Sequence, residues 1–189
     1  APLMSFIPSG SDLAVSRNPQ LCDLLLTLGV KHWRLFTIFP AGRACDNKEL
    51  QLETYQLHQL FRFIRQQRQE GTIDVSYGCE GFLGNYEGDV RDHFYTCQAG
   101  ISVGSIRANG DISGCLSIRY KYSQGNIYEG DEFMDVWNTC FSAYRDRRWM
   151  HTGICSHCKA FKFCRGGGMH LRDDNGRLLR CHYYQIRKN

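Results

Sequence analysis

No run of apolar residues in this chain approaches the roughly 20 that a membrane-spanning helix needs. Nor does the opening stretch, "APLMSFIPSG", carry a charged segment followed by a long apolar one, so it does not read as a secretory signal. Charge of one sign is also scarce. The net charge is +4, and the basic residues are dispersed, as in "RDRRWMH" and "IRKN", whereas a nucleic-acid surface calls for a denser stripe. These absences argue against membrane, export and nucleic-acid roles. The expectation is a cytoplasmic protein with neither a membrane nor a nucleic acid as partner.

Cysteine, by contrast, is plentiful, with 10 in 189 residues. Hydrophobic residues make up 42% and aromatics 13%, a globular composition with enough chain to bury a core. Many thiols can mean a disulfide scaffold, but such chains are usually short and poor in core. Long amphipathic segments and the lack of a signal favour metal or iron–sulfur binding instead.

Up to about residue 78 the chain alternates strand and helix patterns. "LMSFI" (3–7) reads as a strand. Leu21, Leu24, Leu25 and Leu28 recur at helical spacing, which predicts a helix over 18–28 ended by Gly29. "HWRLFTIF" (32–39) is nearly continuous apolar, as suits a parallel strand covered on both faces. Leu57, Leu60, Phe61 and Ile64 mark a second helix, and "TIDVSY" (72–77) a third strand. The result is βαβαβ, a parallel sheet with crossovers. Three strands leave a sheet edge open, so Ala1 is not expected to be the natural start of the fold.

Beyond residue 78 glycine and cysteine dominate. Ser105–Arg107 and Asp111–Ser113 flank Ala108–Asn109–Gly110, a strong hairpin signal that can bring Cys97 and Cys115 to one end. Phe133, Val136, Trp137, Cys140 and Tyr144 predict one helix with Asp131 as N-cap and Cys140 in the core. Cys22, beside the leucine face, and Cys45, in a loop, have no partner spacing and read as non-ligands. Cys155 and Cys158 stand at C-x2-C, Cys164 follows after five residues, and Cys181 after sixteen more. Four thiolates satisfy either tetrahedral zinc or a four-cysteine cluster, and spacing does not separate them. His157, His170 and His182 are spare candidates that a four-cysteine set does not need.

Taken together, "CQAGISVGSIRANGDISGC", "CSHCKAFKFCRGGG" and the late Cys181 resemble the SPASM domain, the auxiliary-cluster module of radical S-adenosylmethionine enzymes. Cys97 is followed by twelve residues, Gly110, four residues and Cys115, as in that family's C-x(9–15)-G-x4-C. The upstream "LGVKHWRLFTIFPAGRA" resembles the end of the family's partial barrel. The resemblance implies an α/β barrel remnant over 1–78 and a cysteine-rich SPASM domain with a hairpin and a helix over 79–189. It implies [4Fe–4S] auxiliary clusters, the second held by Cys155, Cys158, Cys164 and Cys181. The first would take Cys97 and Cys115, with Cys79 as a further candidate. Gly168 stands where the family has another cysteine, which puts the first cluster's ligand set in doubt.

No C-x3-C-x2-C motif occurs, so the chain lacks the cluster that cleaves S-adenosylmethionine. The resemblance therefore implies the C-terminal half of a peptide- or protein-modifying oxidoreductase, or maturase. S-adenosylmethionine would be bound only by the full-length protein, and an external electron donor would serve the clusters. The alternative is a zinc-binding structural or interaction module built on the same four cysteines, and aerobic preparation could leave zinc in the site.

Overall fold

The structure is a computed structural model and describes residues 3–6, 17–78 and 80–187. In chain order its strands and α-helices are β1 (Leu3–Phe6), α1 (Asn18–Thr27), β2 (His32–Leu35), α2 (Thr54–Glu70), β3 (Asp74–Tyr77), α3 (Glu87–Val90), β4 (Ser105–Ile106), β5 (Asp111–Ser113), β6 (Gly125–Asn126), α4 (Phe133–Thr139), α5 (Ser142–Arg145), α6 (Phe161–Cys164) and α7 (His182–Ile186). Two compact units result. One comprises the chain through Tyr95 together with Arg180 onward; the other is Thr96–Leu179. No helix among the described residues is long and apolar enough to cross a membrane.

The first unit holds the parallel sheet β1-β2-β3, in which His32 pairs with Leu3 on one side and Asp74 on the other. The βαβαβ order agrees with the sequence pattern. Helix α2 has a capping box: the Glu53 side chain accepts from the first turn while its own N–H donates to Gln56 Oε1 (2.7 Å). Gly71, left-handed at φ 70°, ends it. As predicted, Leu57, Leu60, Phe61 and Ile64 are fully buried, and they join Trp33, Leu35, Val75 and Tyr77 in one core.

Two expectations for this unit are corrected. The leucine face of α1 is narrower than its spacing suggests: Leu25 is buried, but Leu24 and Leu28 are 53% and 63% exposed. The buried side runs instead through Asn18, Cys22 and Leu25, which also recur at helical spacing. Strand β2 is not covered on both faces. Trp33 and Leu35 are buried while His32 and Arg34 are exposed, because the buried side chains of α1 and α2 share one core on the Trp33 side. His32 Nδ1 lies 2.9 Å from Asp74 Oδ2 across the strands, a polar pairing suited to an open face.

The second unit is a three-stranded antiparallel sheet, β4-β5-β6, with short helices and turns. The hairpin closes at Asn109–Gly110, where Gly110 N–H donates to Arg107 O (2.9 Å), and β6 adds a strand the sequence did not signal. The helix expected across 133–144 is two helices. Its first turn is capped at Glu132 without a side-chain bond, and Asp131 instead accepts from Asn126 N–H (2.8 Å). After Thr139 the helix breaks, and Phe141 and Tyr144 turn inward, both fully buried. Cys140 is consequently exposed rather than part of the core.

Replacing Phe61 by Ala should therefore destabilise the protein by about 3–5 kcal/mol, the usual range for an aromatic lost from a packed core. Leu24→Ala should stay within about 0.5 kcal/mol. Urea unfolding measures both; equal losses would mean that Leu24 is covered.

Candidate metal centre

The loop carrying Cys155, Cys158 and Cys164 is a succession of tight turns. Cys155 closes a 3-10 turn with its N–H on Thr152 O (3.0 Å). Cys158 N–H then donates to Cys155 O (3.1 Å), and Phe161 N–H to Cys158 O (3.0 Å) where α6 begins. Cys164 ends α6. Arg165, Gly166 and Gly167 follow in the left-handed region at φ 48°, 87° and 77°.

The N–H groups of Gly166 and Gly167 lie beside the Cys164 sulfur. Burial pushes its thiol pKa up most, the N–H groups of Gly166 and Gly167 pull it down, and the nearby Cys155 and Cys158 sulfurs push it up. A metal bound there would favour the thiolate, with the N–H donors left to support it. Gly166 is required twice over. Its φ disfavours other residues, and a Cβ there would come within 2.7 Å of Met150 Cβ. Cys155 is buried, and Arg172 Nη2 lies 3.6 Å from its sulfur.

Cys97 and Cys115 flank a second close approach. A Cβ on Gly114 would meet Gly100 N at 2.9 Å, so the two backbone arms touch directly, with the Tyr144 ring against both glycines. Cys97 lies three residues before Gly100 and Cys115 directly after Gly114; both are half-buried on the same core. Arg147 Nη2 fixes the first arm by donating to Cys97 O (2.9 Å) and Ala99 O (3.1 Å).

Among the described residues no group of three or more His, Cys, Asp and Glu side chains lies close enough together to hold one metal ion. The loop brings Cys155, Cys158 and Cys164 within electrostatic reach of one another, and the Gly100–Gly114 contact sets the arms of Cys97 and Cys115 side by side. Cys181 lies in the first unit as the cap of α7, with its sulfur accepting from Tyr184 N–H (3.4 Å). Cys79 lies outside the described residues. Cys22 is buried and donates to Gln67 Oε1 (3.1 Å); burial pushes its pKa up, as suits a core thiol. Cys45 is an exposed loop residue. His157 is exposed, whereas His170 and His182 are buried. Burial lowers the His170 pKa to about 4, and His182 Nδ1 lies 3.0 Å from Glu80 O. The donor set fits an iron–sulfur centre in kind: soft thiolates, with backbone N–H groups beside the Cys164 sulfur.

A second polar cluster, unforeseen from the sequence, sits past the C-terminal ends of β2 and β3. Thr37 Oγ1 donates to Glu80 Oε2 (3.0 Å) and lies 3.0 Å from Tyr77 Oη. Burial raises the Glu80 carboxyl to about 7, against the pull of Thr37, Arg180 and Arg91. Nothing in a lone glutamate within "GCEGFLG" signals this, since its burial depends on strands distant in sequence.

Residues 97–159 match the SPASM family, described as an iron–sulfur cluster-binding domain. Over those residues the chain is similar to that family, and over most of its length it shares its fold with three solved structures. SuiB of Streptococcus suis is similar in structure at 16% identity and TM-score 0.56, over 87% of this chain and 41% of that one. A structure of native anSMEcpe with bound AdoMet and a Cp18Cys peptide is similar at 14% identity and TM-score 0.55, over 95% and 52%. A histidine-tagged form of anSMEcpe with bound AdoMet follows at 15% and 0.52, over 95% and 49%. The chain spans about half or less of each of these proteins. No curated protein sequence matches it.

Because the folded Glu80 pKa lies above its unfolded value, Glu80 contributes stability that is full below about pH 4.5 and is lost as pH rises through about 7. Urea midpoints of the metal-free chain should fall across that window. Glu80→Gln should flatten the fall, and an unchanged slope would place the titration elsewhere.

Proposed function

We propose that the chain is the C-terminal part of a radical S-adenosylmethionine/SPASM enzyme that modifies peptides or proteins, and that it binds auxiliary [4Fe–4S] clusters. The observation that carries this reading is the Cys155–Gly167 loop, where three thiols share a neighbourhood and two N–H groups turn toward Cys164. The SPASM match supports it over part of the loop, ending at residue 159. When bound, the clusters supply one-electron transfer. Cys155, Cys158, Cys164 and Cys181 hold the second, while the Gly166 and Gly167 N–H groups support the Cys164 ligand. Cys97, Cys115 and Cys79 hold the first, whose family ligand at the position of Gly168 is missing.

In the whole protein this part accepts an electron from the substrate radical or positions the substrate, and an external donor serves the clusters. The anSMEcpe structure, with its bound AdoMet and peptide, supports a peptide as the substrate class. S-adenosylmethionine binding and cleavage belong to a part bearing a C-x3-C-x2-C motif, which this sequence does not contain.

Anaerobic reconstitution should yield brown protein with iron and sulfide in equal amounts. Cys155→Ala or Cys164→Ala should each remove about one cluster's iron, and Cys79→Ala should do the same at the first site. Zinc without sulfide would establish the structural-module alternative and sink this reading. Under strong reductant the chain by itself should release no 5′-deoxyadenosine above a protein-free control, measured by chromatography.

A further inference from the structure

Arg172 is fully buried, yet among the described residues no carboxylate lies within ion-pair distance of it. The neighbouring Asp173 is turned away and binds Arg177, 3.0 Å from its Nε. The guanidinium instead collects neutral acceptors: Nη1 donates to Gly176 O (2.7 Å) and Nη2 to Met150 O (3.0 Å), with the Trp149 ring 5.8 Å from Cζ. Its Nε has no partner among the described residues. The main chain is held as well, since Arg172 O accepts from Arg119 Nε (2.8 Å). A buried cation without a counter-charge is strongly disfavoured, and carbonyl dipoles compensate it only in part.

Nη2 also points at the Cys155 sulfur, 3.6 Å away and buried. A sulfur can carry the missing negative charge, which a carbonyl oxygen cannot. We infer that Arg172 is a positioning residue for the Cys155 ligand: its guanidinium donates an N–H···S bond to that thiolate and makes the centre bound there easier to reduce. The inference rests on the cluster reading of Cys155. Reduction by dithionite adds one electron, hence one negative charge, beside a fixed, buried cation. The cation stabilises the reduced state more than the oxidised one, so it raises the midpoint potential. Arg172 thereby has a role beyond packing, and a packing role alone would leave the potential unmoved.

The test uses the reconstituted chain in wild-type, Arg172→Gln and Arg172→Lys forms, with iron, sulfide and circular dichroism measured first. The midpoint to follow by EPR-monitored titration is the one that Cys155→Ala abolishes. It should move to a more negative potential in Arg172→Gln, with Arg172→Lys lying nearer the wild type. A folded, iron-replete Arg172→Gln with an unmoved midpoint overturns the inference, as do equal shifts in both variants. Should Arg172→Gln fail to fold or to hold iron, the wild type decides. Labelled with [guanidino-15N2]arginine and reduced, it should show 15N coupling to the Cys155 centre by ESEEM; no coupling overturns the inference. If Cys155→Ala loses no iron relative to wild type, the cluster reading itself has failed, and the inference falls with it.

Discussion

The second unit depends on one side chain wedged between two glycines. Tyr144 is fully buried, and its ring occupies the space that side chains at Gly100 and Gly114 would fill. Its hydroxyl donates to Tyr122 O (2.7 Å) and shares a hydrogen bond with Ser113 Oγ (3.2 Å). Burial raises its pKa, which keeps the hydroxyl protonated as a donor. One residue thus ties the end of β5, the turn before β6 and the arm after Cys97. The unit has few regular elements and little ladder bonding to hold it, so such side-chain ties set its geometry. After the break at Thr139, Phe141 and Tyr144 are fully buried and Cys140 is exposed.

Cysteines of the same chain sit in environments that send them to different fates. Cys22 is enclosed among apolar side chains with one amide acceptor, so its neutral thiol is favoured. Cys140 faces water. Cys164 is half-buried, with two N–H groups and two further sulfurs beside it, an environment that suits a thiolate ligand. Enclosure by itself does not distinguish a ligand from a core thiol; the donors aimed at the sulfur do.

The first unit organises polarity by the same rule of burial with partners. Trp33, Leu35, Val75 and Tyr77 face the core with α2, while the opposite side of β2 offers His32 and Arg34 to solvent. Past the strand ends, Thr37, Tyr77, Glu80 and Arg180 form a polar cluster whose members compensate one another's burial. The C-terminal ends of parallel strands are where α/β folds place their chemistry.

The sequence by itself determined what periodicity and spacing encode. The parallel βαβαβ order, the fully buried face of α2, the Asn109–Gly110 hairpin and the thiol spacings from Cys97 to Cys164 were legible because each is set by residues near one another in the chain. Tertiary structure decided what depends on distant residues. It chose Cys22 over Leu24 for the core of α1, left one face of β2 open, and moved Cys140 to the surface when Phe141 and Tyr144 claimed the interior. It also buried Glu80 and placed Arg172 beside Cys155. Local pattern does not report these, because whether a side chain is enclosed, and by what charge, is fixed by segments that folding brings together from far along the chain.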